Sequence, residues 1–253
     1  MKLPLAASLA MLTLLAHAPA RATECPHKDA LGTARVMTVA SRDFPRIGLK
    51  HFPATLPLAD KEVVLTFDDG PFPPLTRRVL DTLAAQCVRA TFFLIGRNAA
   101  ANPALVRRIA DDGHTVAHHS WSHPVMTRLG DSAAKADIDR GFAAVDAATG
   151  GAPKPPDMPR FFRFPGFAST PALLSHLEQR NVVVFGADLW ASDWNAMTPD
   201  QQLRQLTERL RQARKGVILM HDIRAQTAAM LPAFLRYLKQ NGYRVVHVAP
   251  EPQ

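Results

Sequence analysis

The chain has 253 residues, 47% of them hydrophobic and 21% charged, with a formal net charge of +8. This length and apolar content fit one large α/β domain with a sizeable core, and they exclude a disordered or disulfide-dense chain. The positive charge suits an anionic envelope polymer, but it is spread along helical patterns (Arg77, Arg78, Arg107, Arg108, Arg204, Arg209, Arg211, Arg214) as a solvated outer face would be, and no nucleic-acid-binding motif appears.

Residues 1–22 read as a secretory signal: Lys2 supplies the positive start, Leu3 to Leu15 an apolar run, and Ala20-Arg21-Ala22 a small-x-small cleavage site. The expectation is a secreted or periplasmic protein cleaved near Ala22, with no stable membrane anchor, because the apolar run is too short to span a bilayer and His17, Pro19 and Arg21 follow it at once. A retained anchor is the alternative. Cleavage would remove Lys2 and Arg21 and no acid, leaving a charge of +6. Only Cys25 and Cys87 are present; in an oxidising compartment they can pair and tie the mature N-terminus to the end of the first helix, and two free thiols are the alternative. Residues 23–61 show no strong periodicity and are expected to wrap the main domain, residues 62–253, as a tail.

From Glu62 onward, short apolar runs alternate with helical patterns. The expected strands are Val63–Phe67, Thr91–Ile95, Thr115–His118, Phe161–Phe164, Val182–Gly186, Val217–Met220 and Arg244–Val248, rich in Val, Ile and Phe as buried parallel strands are. Between them, Asn102-Pro103 opens a helix over Ala104–Asp112 that Gly113 stops. Asp131 caps a second helix, with Ile138, Phe142 and Val145 on one face. Thr198-Pro199 opens a third, with Leu203, Leu206 and Leu210 inward and Gly216 closing it. Gly150 to Pro159 reads as an extended, exposed connection. The alternation predicts an α/β architecture with parallel strands: a distorted, incomplete (β/α)7 barrel is favoured over a doubly wound open sheet, because the candidate site residues follow several different strands, as at a barrel mouth.

Those residues are polar groups at strand ends. Thr66-Phe67-Asp68-Asp69-Gly70 closes the first of the seven strands, and His119-Ser120-Trp121-Ser122-His123 follows the third. Read alone, adjacent aspartates are an ordinary turn, and histidines four apart are ordinary too. Read together, one carboxylate and two imidazoles suffice for a divalent metal with open positions, leaving the other carboxylate free as a base on water. His118 competes with His119 for a place in that set, but four-residue spacing on a turn lets His119 and His123 converge while His118 points away on its strand. Arg163 at the end of the fourth strand can hold a nearby carboxylate ionised, and His221 at the end of the sixth stands where an acid for a leaving group is wanted. This set points to a hydrolase.

The ordered series TFDDG (Thr66–Gly70), His119-Ser120-x-x-His123, Arg163-Phe164-Pro165-Gly166, Asp193-Trp194 and Leu219-Met220-His221 resembles the polysaccharide deacetylases, the NodB-homology domain of carbohydrate esterase family four, from about Lys61 to Val248. The resemblance implies a distorted (β/α)7 barrel that hydrolyses N-acetyl groups from an N-acetylglucosamine-containing glycan such as a chitooligosaccharide or peptidoglycan. It assigns Asp69, His119 and His123 to a divalent metal (zinc, with cobalt or nickel as alternatives), Asp68 to the general base with Arg163 beside it, and His221 to the general acid oriented by Asp193. Trp194 and Leu219 would shape the acetyl pocket, and Pro165 and Gly166 the substrate side, with the N–H after Pro165 as oxyanion donor. Two departures bear on substrate preference. Gly166 stands where the family commonly has an aromatic, which moves that wall to Phe167, and His118 stands where Asn is frequent. An acetylated glycan is thus the expected partner. The rival readings are an O-acetyl esterase acting on a polymer such as xylan, a non-catalytic glycan-binding barrel, and an Fe(II) facial triad, which leaves Arg163, His221 and the spare base without a task.

Overall fold

The computed structural model describes residues 25, 27–150, 155 and 157–252. The signal-peptide segment and half of the Gly150–Pro159 connection lie outside the described residues. Among those residues there are ten strands: β1 (Thr33–Val39), β2 (Arg46–Ile47), β3 (Glu62–Asp68), β4 (Thr91–Leu94), β5 (Thr115–His118), β6 (Arg160–Phe162), β7 (Val182–Phe185), β8 (Leu189–Trp190), β9 (Gly216–His221) and β10 (Arg244–Pro250). The helices are α1 (Leu75–Ala85), α2 (Gly96–Ala101), α3 (Pro103–Asp111), α4 (Asp131–Thr149), α5 (Pro171–Glu178), α6 (Pro199–Ala213) and α7 (Ala225–Gln240). None is long and apolar enough to cross a membrane.

Seven parallel strands, β3 to β9, curl into an incomplete barrel. Ladders join β3–β4–β5–β6–β7 on one side and β8–β9–β3 on the other. The barrel's seam lies between β7 and β8, where no ladder forms. Side-chain alternation sorts the residues of β3: Val63, Leu65 and Phe67 face the helices, while Val64 joins the interior cluster with Phe93, Ala117, Phe161, Val183, Phe185 and Val217. The same period carries Thr66 and Asp68 inward, with Asp68 at the rim.

The outer layer is built from amphipathic helices. Leu80, Ile109, Leu206, Leu210 and Phe234 of α1, α3, α6 and α7 are fully buried against the sheet, and Ile138 and Leu177 of α4 and α5 cover β6 and β7. Thr198 and Gln201 form a reciprocal capping box at α6. Asn102 stands at the N-cap position of α3 with Pro103 in the first turn, as expected, although its side-chain amide donates to the Asn98 carbonyl at 3.1 Å and makes no capping bond. Two other expected helix ends differ. Asp131 is the first residue of α4, behind Gly130. Arg214, at φ +63°, ends α6, and Gly216 already belongs to β9.

The N-terminal region corrects a larger expectation. Residues 33–58 are not an irregular wrap: β1 pairs in parallel with β10, and β2 pairs with β7 at the barrel's seam. Val39, Ile47, Leu56 and Leu58 are buried in the interior cluster, together with Val246 and Val248 of β10. β10 itself touches β3 only at its first two residues and lies outside the seven-strand ring. The arm therefore fills the barrel interior as a plug. Gly186 and Gly48 make its approach possible, since a Cβ on Gly48 would stand 2.5 Å from the Ala187 nitrogen. Cys25 and Cys87 are disulfide-bonded, which holds the start of the arm to the end of α1. By chain entropy, closing a loop of this length stabilises the fold by about 4 kcal/mol.

Two buried histidines far from the barrel mouth set the acid sensitivity of the fold. His114 accepts the Ala90 N–H at Nδ1 (3.1 Å), so protonation there would oppose a donor. Burial, then neighbouring positive charge, lowers its pKa to about 3. The Thr115 hydroxyl donates to the Val248 carbonyl, so His247 Nε2 is left to donate to Thr115, and burial lowers the His247 pKa to about 4. Both folded values lie below the unfolded one, so the stability these groups contribute is complete above about pH 6.5 and is lost as pH falls toward 4 and 3. Urea unfolding should show lower stability at pH 5 than at pH 7, and the double variant His114→Gln/His247→Gln should flatten that slope. An unchanged slope in the variant would refute the assignment.

Candidate functional site

Parallel register puts the site together. Asp68 on β3 is paired with His221 on β9, Leu94 on β4 with His118 on β5, and His118 with Phe162 on β6. The residues just past those ends, Asp69, His119 and Arg163, therefore emerge on one rim, as a barrel's C-terminal face requires. Asp69 leaves β3 at φ +78°, its N–H on the Phe93 carbonyl and its carbonyl held by Asn98. The His119–His123 segment is an irregular loop, with Ser120 at φ +64° and His123 at φ +60°. Asp137 of α4 clamps it through the Trp121 and Ser122 N–H groups and the Ser122 hydroxyl. The loop lies directly on Gly141, where a Cβ would meet the Ser120 carbonyl carbon at 2.4 Å. Each left-handed non-glycine residue costs about 1–3 kcal/mol, so this strain is concentrated where the side chains must converge.

Asp69, His119 and His123 bring one donor atom each to within 4.8 Å of one another. His119 Nδ1 faces the Arg163 carbonyl at 2.7 Å and so carries the proton, which leaves Nε2 with its lone pair. Burial, against the pull of the Asp69 charge, lowers the His119 pKa to about 3 and keeps the ring neutral. Asp69 Oδ1 is buried without a hydrogen-bond donor, 3.5 Å from His119 Nε2 and 3.3 Å from His123 Nε2. An orphaned carboxylate oxygen facing imidazole lone pairs is a hole in the electrostatics that a cation fills, so the donor set fits a divalent metal. Asp68, the neighbouring carboxylate, gives Oδ1 to Arg163 and keeps Oδ2 3.8 Å from His119 Nε2.

Asp68 is held by Arg163, whose guanidinium is completely buried. Arg163 donates to Asp68 Oδ1 at 2.6 Å, to the Thr66 hydroxyl at 2.9 Å and to the Gly186 carbonyl at 2.8 Å, and its plane lies 4.2 Å over the Phe93 ring. Burial pushes the Asp68 carboxyl above its ordinary range, and the Arg163 charge pulls against that rise. Across the rim, Asp193 accepts from His221 at both Nδ1 and the backbone N–H (2.7 Å each) and from the Thr227 hydroxyl at 2.6 Å. Burial alone would lower the His221 pKa, but the hydrogen bond and charge of Asp193 outweigh it and raise the value to about 9. The rim therefore carries a proton acceptor on β3 and a protonated imidazole opposite it on β9.

The cleft above these groups encloses about 370 Å³ and is lined by His51, Phe164, Gly166, Phe167, Trp190, Trp194, Leu219 and Arg224 in addition to the charged set. Of the residues expected on the substrate side, Trp194, Leu219 and Gly166 line it, whereas Pro165 is buried and does not. Phe167 does form a wall, stacked at 3.6 Å on His51. His118 faces Asp146 and Phe142, away from the metal set. Sequence reasoning missed His51, which comes from the N-terminal arm and bears no motif, along with Trp190 and Arg224. It also missed Asp222, a fully buried carboxyl raised to about 7 by its burial and bound by the Thr76 hydroxyl at 2.5 Å. Gly70 makes room for it, because a Cβ there would lie 2.1 Å from Asp222 Oδ2.

Known proteins resemble this chain in sequence and in fold. A family model described as polysaccharide deacetylase matches residues 56–185. The peptidoglycan-N-acetylglucosamine deacetylase PgdA of Listeria monocytogenes is 34% identical over 194 residues, which are 75% of this chain and 38% of that protein; the chain thus spans well under half of that relative's length. Among solved structures, the Bdellovibrio bacteriovorus peptidoglycan deacetylase Bd3279 superposes with a TM-score of 0.75 at 28% identity, covering 88% of this chain and 60% of that one. The family 4 carbohydrate esterase of Streptomyces lividans, solved with acetate, gives a TM-score of 0.64 at 37% identity over 73% of this chain and 91% of that one. With its match spanning half the sequence and its strand-end residues gathered on one rim, the chain belongs to the polysaccharide deacetylase family.

Proposed function

We propose that the protein is a hydrolase that removes N-acetyl groups from an N-acetylglucosamine-containing glycan of the peptidoglycan type. The observation that carries this reading is the separation of roles on one rim: a three-residue cation site, a distinct buried carboxylate, and a protonated imidazole. Asp69, His119 and His123 would hold a divalent ion, zinc, with cobalt or nickel as alternatives, which would supply a Lewis acid for water and for the acetyl carbonyl. Asp68 takes the proton of the attacking water; its raised basicity favours uptake, and Arg163 fixes its orientation. His221 already carries the proton that the departing amine needs, and Asp193 holds its ring with Nε2 toward the cleft. The Gly166 N–H donates to the developing oxyanion. Trp194 and Leu219 flank the space for one methyl group. Export fits the same reading: the Cys25–Cys87 bond suits an oxidising compartment, with residues 1–22 removed near Ala22. Acetate release compared on peptidoglycan, chitooligosaccharides and acetylxylan tests the proposal, and activity confined to the ester substrate would overturn it.

The two adjacent aspartates can be separated. Asp69→Asn should lower bound metal and activity together. Asp68→Asn should keep the metal yet lose turnover about a hundredfold or more, the scale of a positioned general base. Metal stoichiometry beside acetate release reads both. Metal loss in the Asp68 variant with retention in the Asp69 variant would reverse the roles, and full activity in both would end the hydrolase reading.

Leu219 is 2% exposed and packed at the cleft floor, so enlarging the acyl group means displacing it. Leu219→Ala should admit larger acyl groups while lowering turnover on acetyl. Equal activity of the unmodified protein on acetyl and butyryl substrates would refute this pocket.

A further inference from the structure

The active cleft does not end at Trp194. The Trp194 ring lies edge-on 6.0 Å from the His221 ring, and the Trp190 ring lies 6.0 Å beyond Trp194. Trp190 is shared: one side belongs to the cleft, and the other lines a second pocket with Lys50, Asp188, Leu189, Arg209, Gln212 and Ala213. The Lys50 ammonium stands 5.5 Å over the Trp190 ring. Arg209 reaches down from α6 to the Trp190 carbonyl and the Ser192 hydroxyl, both at 2.7 Å, which fixes its guanidinium at the pocket wall. Among the described residues, neither Lys50 nor Arg209 is in an ion pair. The one acid in the pocket, Asp188, turns both oxygens inward, accepting from the Leu49 N–H at 2.8 Å, the Thr55 hydroxyl at 2.9 Å and the Val217 N–H at 2.8 Å. The pocket thus presents two unneutralised cations at the end of an aromatic path that begins at His221.

We propose that this second pocket is a subsite for a carboxylate carried by a sugar of the same polymer whose acetyl group lies in the cleft. A polymer held across the Trp194–Trp190 path continues toward Lys50, and a carboxylate there meets a charge-assisted donor instead of water. A neutral polymer gains only the aromatic faces. The inference rests on the glycan reading of the cleft and adds to it a substrate class, acidic over neutral. Lys50 comes from the arm, outside residues 56–185 where the family model matches, and Arg209 from α6. The pocket is therefore built jointly by the arm and the ring of helices.

The test uses one acetylated oligosaccharide carrying free carboxylates and the same oligosaccharide with those carboxylates methyl-esterified. Two quantities are measured: the ratio of kcat/KM between the two forms from acetate release, and the ratio of their Kd values by calorimetry. An exposed charge contact is worth up to about 1 kcal/mol, so both ratios should favour the free acid about fivefold at low salt and shrink as salt rises. Lys50→Ala should bring them close to one, and Lys50→Arg should restore them. Ratios near one in the unmodified protein, or ratios unmoved by Lys50→Ala, would overturn the subsite. Absence of acetate release from both forms would sink the deacetylase reading alone, and the calorimetric ratio would still decide the subsite.

Discussion

A guanidinium with no exposure to water is tolerable only when its charge is answered, and both terminal nitrogens of Arg163 are answered from two other strands, with Nε left unpaired. Its partners are Thr66 and Asp68 on β3 and the Gly186 carbonyl just after β7, while the residue itself follows β6. Breaking such a pair from one side leaves an uncompensated buried charge, worth about 3–5 kcal/mol. The barrel's seam beside β7 is thus braced internally at its mouth by the same contact that orients Asp68. The Arg163 carbonyl also fixes the tautomer of His119. One residue therefore sets the geometry of the base and the availability of a metal-facing lone pair, and it holds neighbouring strands in register.

The rim's electrostatics are divided, not uniform. Burial raises Asp68, lowers His119 and would lower His221, but the partner differs in each case: a cation for Asp68, a neutral carbonyl for His119, and a carboxylate for His221. Identical desolvation thereby yields a strong proton acceptor, a neutral ligand and a charged proton donor within one small space. Asp193 makes this division possible, since it meets both the ring and the backbone of His221 and gives the ring no alternative orientation.

Much of the site was legible in the sequence because its residues stand at strand ends, and apolar runs terminated by Asp, His or Arg show where those ends are. Asp68, Asp69, His119, His123, Arg163 and His221 all gathered where parallel register required. The arm was not legible. Val39, Ile47, Leu56 and Leu58 enter the core one at a time at irregular spacing, which leaves no period to detect, and β1 is largely exposed along its length. β8 is two residues long and β2 likewise, below the length at which alternation means anything. His51 reached the cleft through tertiary placement alone. The helix ends that differed, at Asp131 and Gly216, did so because Asp131 stands one position inside α4 and because Arg214 takes the left-handed position that ends α6.

The arm that plugs the barrel has a consequence for how the molecule comes into being. Synthesis delivers this segment before the ring strands, but β2 pairs with β7, which is made when most of the domain has already emerged. Until then, Ile47, Leu56 and Leu58 have no interior to enter, and the Trp190 side of the cleft has no Lys50 or His51 beside it. The rim that would do the chemistry is assembled from the strands of the ring, whereas the wall that would select the polymer is fitted last, by a portion of the chain made before the ring. Such long-range closure is slow relative to local pairing. It makes substrate selection the final property the fold acquires, and the first it would surrender on partial unfolding at the seam.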